Sequence, residues 1–79
     1  MKVTVKLFAS LREHLPEGSR DGACELSLPE GDTVKGALSR LGVPEDIKLV
    51  LLLNSRHAGY DTVLSEGDVL SVFPPIAGG

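Results

Sequence analysis

The sequence predicts a single small α+β domain, in which one β-sheet is covered on one face by one main helix. Several stretches alternate polar and apolar residues as half-buried strands do, and one stretch has the apolar spacing of a helix. The chain has 79 residues, of which 42% are hydrophobic, which is enough for one modest core. We expect residues 1–73 to form the domain and residues 74–79 to leave it as an extended tail.

The first predicted element is a strand over residues 2–8 whose alternation directs three apolar side chains into the core: Val3, Val5 and Leu7. Phe8 falls on the opposite face of this strand. Ser10 and Glu13 have the spacing of a capping box, which predicts a short helix over about residues 9–14.

The main helix is predicted after a second strand over residues 23–28 and a turn at residues 29–32. Its apolar positions follow the i, i+3, i+4, i+7 spacing of a helix that lies on a sheet: Val34, Ala37, Leu38 and Leu41. Either Thr33 or Asp32 caps its first turn, and Gly42 follows its last.

Two more strands are predicted in the second half of the chain. Residues 49–53 form a continuous apolar run, and residues 69–73 follow a turn at residues 65–68. Both strands carry apolar side chains on both faces, although one helix covers only one face of a sheet. Either a partner docks on the other face, or the loops at residues 16–22 and 54–64 fold across it.

The composition and motifs exclude several classes of function. The net charge is −3 with scattered basic residues, which argues against a nucleic-acid partner. A single cysteine, Cys24, provides neither a disulfide nor a Cys-rich metal site, and we interpret it as a buried structural thiol. His14 and His57 lack metal-ligand spacing. No stretch is long enough to span a membrane and no signal peptide opens the chain, so we expect a cytoplasmic protein with no membrane partner.

The last six residues have a composition that serves no core: Pro74, Pro75, Ile76, Ala77, Gly78 and Gly79. Prolines cannot extend a strand ladder and favour a stiff, extended exit. Glycine loses backbone entropy on ordering and has no side chain to bury. The tail is therefore predicted to be presented to another protein, with the terminal carboxylate of Gly79 as the reactive group.

Three stretches resemble the small subunit of molybdopterin synthase, the MoaD type: residues 7–13, residues 66–68, and the ending Phe-Pro-Pro-Ile-Ala-Gly-Gly at residues 73–79. Relatives of this subunit include the thiazole-synthesis carrier ThiS, tRNA-thiolation carriers and other ubiquitin-like modifiers. The resemblance implies a β-grasp, ubiquitin-like fold, with a mixed sheet whose first and last strands are parallel neighbours at its centre.

The resemblance also implies a sulfur carrier, a non-catalytic sulfur-donor subunit that binds no cofactor itself. A MoeB-type activating enzyme uses ATP to adenylate Gly79, and sulfur from a donor such as a persulfide sulfurtransferase then gives a thiocarboxylate. The tail enters a MoaE-type large subunit and donates sulfur for molybdopterin, the molybdenum or tungsten cofactor. A ThiS-like or tRNA-thiolation carrier, and a ubiquitin-like modifier joined to lysines, are the alternatives.

The residues expected to contact these partners lie on the first strand and along the tail: Phe8, Phe73, Pro74, Pro75, Ile76, Ala77 and Gly78. Phe8 and Phe73 could instead be core residues: contact is favoured for Phe8, because its face is otherwise polar, whereas the core is favoured for Phe73.

Overall fold

Five strands form one mixed sheet in a computed structural model that describes residues 1–75. They are β1 (Lys2–Leu7), β2 (Ala23–Ser27), β3 (Val50–Leu53), β4 (Arg56–His57) and β5 (Val69–Phe73), in the spatial order β2-β1-β5-β3-β4. A 3₁₀ helix (Ala9–His14) follows β1, and α1 (Val34–Leu41) follows β2. β1 and β5 are parallel, and every other pair is antiparallel. The predicted α+β class and the parallel pairing of the first and last strands are confirmed.

The core lies between α1 and one face of the sheet. The parallel register sets Val5 opposite Leu70 and Leu7 opposite Val72, and each of these four side chains is at most 1% exposed. The alternation predicted for β1 is therefore correct. From α1, three of the four predicted apolar positions are fully buried and Leu41 is partly buried. Full burial of a larger aliphatic side chain, such as Val34 or Leu38, stabilises the fold by about 1.5–3 kcal/mol.

Both residues proposed as the cap of α1 take part in it. Thr33 is the N-cap residue, and its Oγ1 accepts a hydrogen bond of 3.3 Å from the amide of Gly36. Asp32 Oδ1 accepts a hydrogen bond of 2.8 Å from the amide of Thr33, which fixes the cap residue itself. At the other end Gly42 adopts φ +73°, the left-handed conformation in which glycine ends helices without strain.

The capping box predicted for the short helix is wrong. The N-cap residue is Phe8, and no side chain caps this end. The helix begins at Ala9, so Ser10 lies within its first turn rather than at the cap position. The helix is also of the 3₁₀ type, and it buries Leu11 to 4% exposure.

Strand β4 was not predicted from the sequence. Asn54 and Ser55 have φ of +50° and +72°, the left-handed pair of a two-residue hairpin turn, and they connect β3 to β4. Arg56 and His57 are both exposed, so they show no polar–apolar alternation. The predicted turn is confirmed, but β4, the strand that follows it, contains no apolar residue by which the sequence could have revealed it.

The segment after β4 packs on the helix side of the sheet. The amide of Val34 donates to the carbonyl of Thr62 at 3.0 Å, and the amide of Lys35 donates to the carbonyl of Tyr60 at 2.9 Å. These bonds satisfy amides of the first turn of α1, which have no partner inside the helix. This part of the loop therefore does not cover the opposite face, and one of the two explanations for the apolar residues there is weakened.

We expect Leu38→Ala to lower the free energy of unfolding by about 2–5 kcal/mol, because the truncated side chain leaves a cavity under α1. Leu38 is 0% exposed. Urea denaturation followed by circular dichroism measures the change. Val63→Ala is the matched control, since Val63 is 58% exposed, and should change the value by less than about 0.5 kcal/mol. Equal losses in the two variants would contradict the core described above.

Candidate functional site

The face of the sheet opposite α1 carries an apolar groove at the end where β5 leaves the sheet. Its cavity volume is about 450 Å³. Six residues line it: Phe8, Ala9, Val50, Phe73, Pro74 and Pro75. None of these side chains titrates, so the groove is suited to binding rather than to acid–base or nucleophilic chemistry.

A stacked pair of aromatic rings forms the centre of the groove. The rings of Phe8 and Phe73 have centroids 4.2 Å apart and planes inclined by 14°. The parallel register places Leu7 of β1 opposite Val72 of β5. The residues that follow them, Phe8 and Phe73, therefore lie at the same level on the open face. The amide of Phe8 also donates to the carbonyl of Val72 at 3.1 Å. Both rings are partly buried.

The beginning of the predicted tail belongs to the same surface. β5 ends at Phe73, after which Pro74 is partly buried and Pro75 is exposed. Neither proline has an amide hydrogen, so the ladder stops there. Four of the predicted partner-contact residues are thus brought together at one place. Phe73 lies in the groove on the open face, so the place in the core that the sequence favoured for it is wrong. The other predicted site residues lie outside the described part of the chain: Ile76, Ala77, Gly78 and Gly79.

Val50 was not predicted as a site residue. It lies opposite Phe73 in the antiparallel register of β3 and β5, and it is 41% exposed. The alternation of β3 did place it on the face opposite Leu51. The sequence does not reveal, however, that β3 pairs with β5, and this pairing is what brings Val50 beside the rings.

Polar residues continue the open face beyond the groove. Lys6 lies opposite Ser71, one step along the face from the two rings, and His57 lies opposite Leu52. Lys6 and His57 are exposed. An apolar centre with a polar, solvent-accessible rim is the usual anatomy of a protein–protein interface.

Cys24 lies away from the groove. It faces the core opposite Val5 but is only partly buried, because β2 is an edge strand. The interpretation of Cys24 as a buried structural thiol is correct in part, since the side chain packs against the core but is only partly buried. This burial raises the pKa of the Cys24 thiol, which is the reverse of what an activated nucleophile needs.

Tyr60 is a second titratable group with a shifted pKa, on the helix side of the sheet. Burial of its hydroxyl raises its pKa, and the nearby carboxylates of Glu45 and Asp46 raise it further. Neither this group nor Cys24 lines the groove. Across residues 1–75, no three His, Cys, Asp or Glu side chains are grouped as metal ligands. In the same range no helix is long and apolar enough to cross a membrane.

Comparison with known proteins finds relatives over nearly the whole chain. The model of the ThiS family matches residues 5–79, whereas no curated protein matches. A solved structure described as molybdopterin converting factor subunit 1 from Pyrococcus furiosus is 30% identical over 95% of this chain and 98% of its own, with a TM-score of 0.73. SAMP1 from Haloferax volcanii is 27% identical over 100% of both chains, with a TM-score of 0.76.

A third structure is a complex of subunits 1 and 2 of the molybdopterin-converting factor from Helicobacter pylori. It matches at 24% identity over 100% of both chains, with a TM-score of 0.62. At that identity the likeness concerns the fold. The β-grasp fold with one main helix and an open sheet face is thus confirmed by these neighbours.

We expect the thiol of Cys24 to react slowly with Ellman's reagent at neutral pH, because its raised pKa keeps it protonated and only the thiolate attacks. The plot of rate against pH should be displaced to higher pH than the same plot recorded in urea. The unfolded chain is the internal control. A folded-state profile at the same pH, or at lower pH, would contradict the assignment of a desolvated thiol.

Proposed function

This chain belongs to the ThiS family, and from that premise we propose that it carries sulfur on the terminal carboxylate of Gly79. At the coarser level it is a ThiS/MoaD-type protein, a sulfur carrier or ubiquitin-like modifier. The observation that supports sulfur carriage best is the match to the ThiS family over residues 5–79, and the apolar groove at the start of the tail offers a surface on which a partner can bind. The chemistry is then supplied by the partners, and the body of the domain serves to be recognised.

The reaction at Gly79 follows from the weakness of a carboxylate as an electrophile. An activating enzyme joins AMP to the carboxylate and releases pyrophosphate from ATP. The terminal sulfur of a persulfide donor then attacks the acyl adenylate and displaces AMP, which gives an acyl persulfide. A thiol attacks the donor's sulfur, so that a new disulfide forms on the donor, the original S–S bond breaks, and the thiocarboxylate leaves with both electrons of that bond. Glycine has no Cβ to obstruct a narrow channel around the reacting carbonyl. The six residues from Pro74 reach at most about 20 Å from the domain at roughly 3.3 Å each.

The acceptor that we propose is the pterin precursor of molybdopterin, on a large synthase subunit. Support comes from the 30% identity to a protein described as molybdopterin converting factor subunit 1 and from the Phe-Pro-Pro ending at residues 73–75. The comparable likeness to SAMP1, a small archaeal modifier protein, favours conjugation to other proteins as the second candidate.

The partner surface that we propose is the groove with its polar rim. In the Helicobacter pylori complex, subunits 1 and 2 of the converting factor are bound to each other, and this chain shares the fold. A large subunit of this type would cover the rings of Phe8 and Phe73 while the tail enters its active site. Burial of these rings would supply much of the affinity, since aromatic anchors dominate such interfaces.

We expect the chain to gain one sulfur in place of one oxygen when it is coexpressed with its cognate activating enzyme and a sulfur donor. Intact mass spectrometry detects the exchange, and fragmentation assigns it to the last residue. Removal of Gly79 should abolish the exchange and leave the circular dichroism spectrum unchanged. In Cys24→Ser the exchange should persist, which separates a thiocarboxylate from a persulfide on Cys24. An unaltered carboxylate with a competent enzyme would contradict sulfur carriage, and conjugates that survive denaturation would favour the modifier.

We expect Val50→Asp to weaken binding to the large subunit by at least about tenfold. A carboxylate that is desolvated without a partner costs more than about 1.4 kcal/mol, the equivalent of a tenfold change. Isothermal titration calorimetry measures the dissociation constant. Val63→Asp places the same charge at a residue that is exposed, at 58%, and does not line the groove. Equal effects of the two substitutions would place the docking surface elsewhere.

A further inference from the structure

We propose that Phe8 is a positioning residue for the tail: by stacking on Phe73, its ring sets the direction in which Pro74 leaves the domain. The inference rests on the proposed function, because it concerns how the carboxylate of Gly79 is presented to the activating enzyme. It assigns Phe8 a role within the free carrier, in addition to any contact with a partner.

Both backbone polar groups of Phe8 are hydrogen-bonded. Its amide donates to the carbonyl of Val72 at 3.1 Å, and its carbonyl accepts from the amide of Leu11, also at 3.1 Å. Ala9 follows with φ +52°, a left-handed conformation that a residue with a Cβ adopts only where its surroundings impose it. Leu11 is 4% exposed and anchors the 3₁₀ helix in the core. The ring of Phe8 therefore stands on a fixed backbone.

Phe73 is the last residue that the sheet holds. It is paired with Val50 in the final register position of β3 and β5, and the prolines after it make no ladder hydrogen bonds. The residue before a proline is restricted to extended conformations, and each proline has a fixed φ. The backbone orientation of Phe73 therefore limits the directions that Pro74 and Pro75 can take.

The stack is a side-chain contact at the very residue where the sheet ends, and it can set the orientation of Phe73. The two rings lie 4.2 Å apart and nearly parallel, so a tilt of Phe73 would open the pair. Exposure then increases along the chain, since Pro74 is partly buried and Pro75 is exposed. Without the ring of Phe8, the side chain of Phe73 would keep Val50 as its neighbour in the groove but lose the flat surface that fixes its angle.

A positioning role and a docking role make different kinetic predictions. If Phe8 only contacts the activating enzyme, its loss raises KM for the carrier and leaves kcat unchanged. If it directs the tail, saturating carrier still docks, but fewer tails reach the nucleotide, so kcat falls. The expected decrease in kcat is about twofold to tenfold, which corresponds to the free energy of one aromatic pair.

The test measures pyrophosphate release by the cognate activating enzyme at increasing concentrations of the full-length carrier. Phe8→Leu keeps an apolar side chain without a flat ring and should lower kcat by that factor with KM little changed. Phe8→Tyr keeps the ring and should have the kcat of the wild type. A rise in KM alone in Phe8→Leu, or failure of Phe8→Tyr to restore kcat, would overturn the proposal.

A second variant tests the direction of the tail without altering either ring. Two glycines inserted between Phe73 and Pro74 separate the stack from the prolines, and this insertion alone should lower kcat. In its presence Phe8→Leu should have no further effect. An insertion that leaves kcat unchanged would overturn the proposal, as would a full additional loss from Phe8→Leu.

The wild-type carrier separates this inference from the proposed function. If the cognate enzyme releases no pyrophosphate with the wild-type chain, both fail. If the wild type is adenylated and Phe8→Leu matches it in kcat, the positioning role alone is wrong.

Discussion

The parallel pairing of β1 with β5 is the constraint on which the rest of this structure depends. The two strands come from opposite ends of the described chain, and their register sets Val5 against Leu70 at the centre of the core. Because they run in the same direction, both leave the sheet at the same end. That places Phe8, at the exit of β1, beside Phe73, at the exit of β5. An antiparallel pairing would put these two exits at opposite ends of the sheet, and neither the stacked rings nor the groove would exist.

One helix covers only one face of this sheet, and the other face is open to solvent. On that open face the most extended apolar surface is the groove. Away from the groove the open face mixes polar residues such as Thr4, Lys6 and Ser71 with the partly buried Leu52 and Val69, and the aromatic rings lie where β5 ends. The residues that stabilise the fold and those that form the groove are therefore separate sets on opposite faces. Substitutions in the groove can therefore change the choice of partner with little effect on the free energy of unfolding. This is expected where one fold serves partners of different kinds.

Local signals in the sequence predicted most of the fold. Period-two alternation identified β1 and β2, a continuous apolar run identified β3, and the cap residues around α1 marked its ends, because these signals depend on neighbours within a few residues. Pairing over long distances was not predictable in this way. Asn54 donates to Asp68 at 2.9 Å and accepts from the amide of Val69 at 2.9 Å, joining two turns whose connection no local pattern indicates. The place of Val50 in the site depends on the same pairing of distant strands, whereas the order of β1 and β5 came from the family resemblance.

The start of β1 lies at the far end of the sheet from the groove. The amine of Met1 donates to the carbonyl of Leu28 at 2.8 Å, beside the turn that leads to α1. The six residues of β1 separate it from the rings by about 20 Å, at roughly 3.3 Å per residue. A fluorophore, an affinity tag or a solid support attached at this end of the sheet would therefore lie away from the groove. A carrier tethered there would present its groove outward, in the same orientation on every molecule of the surface.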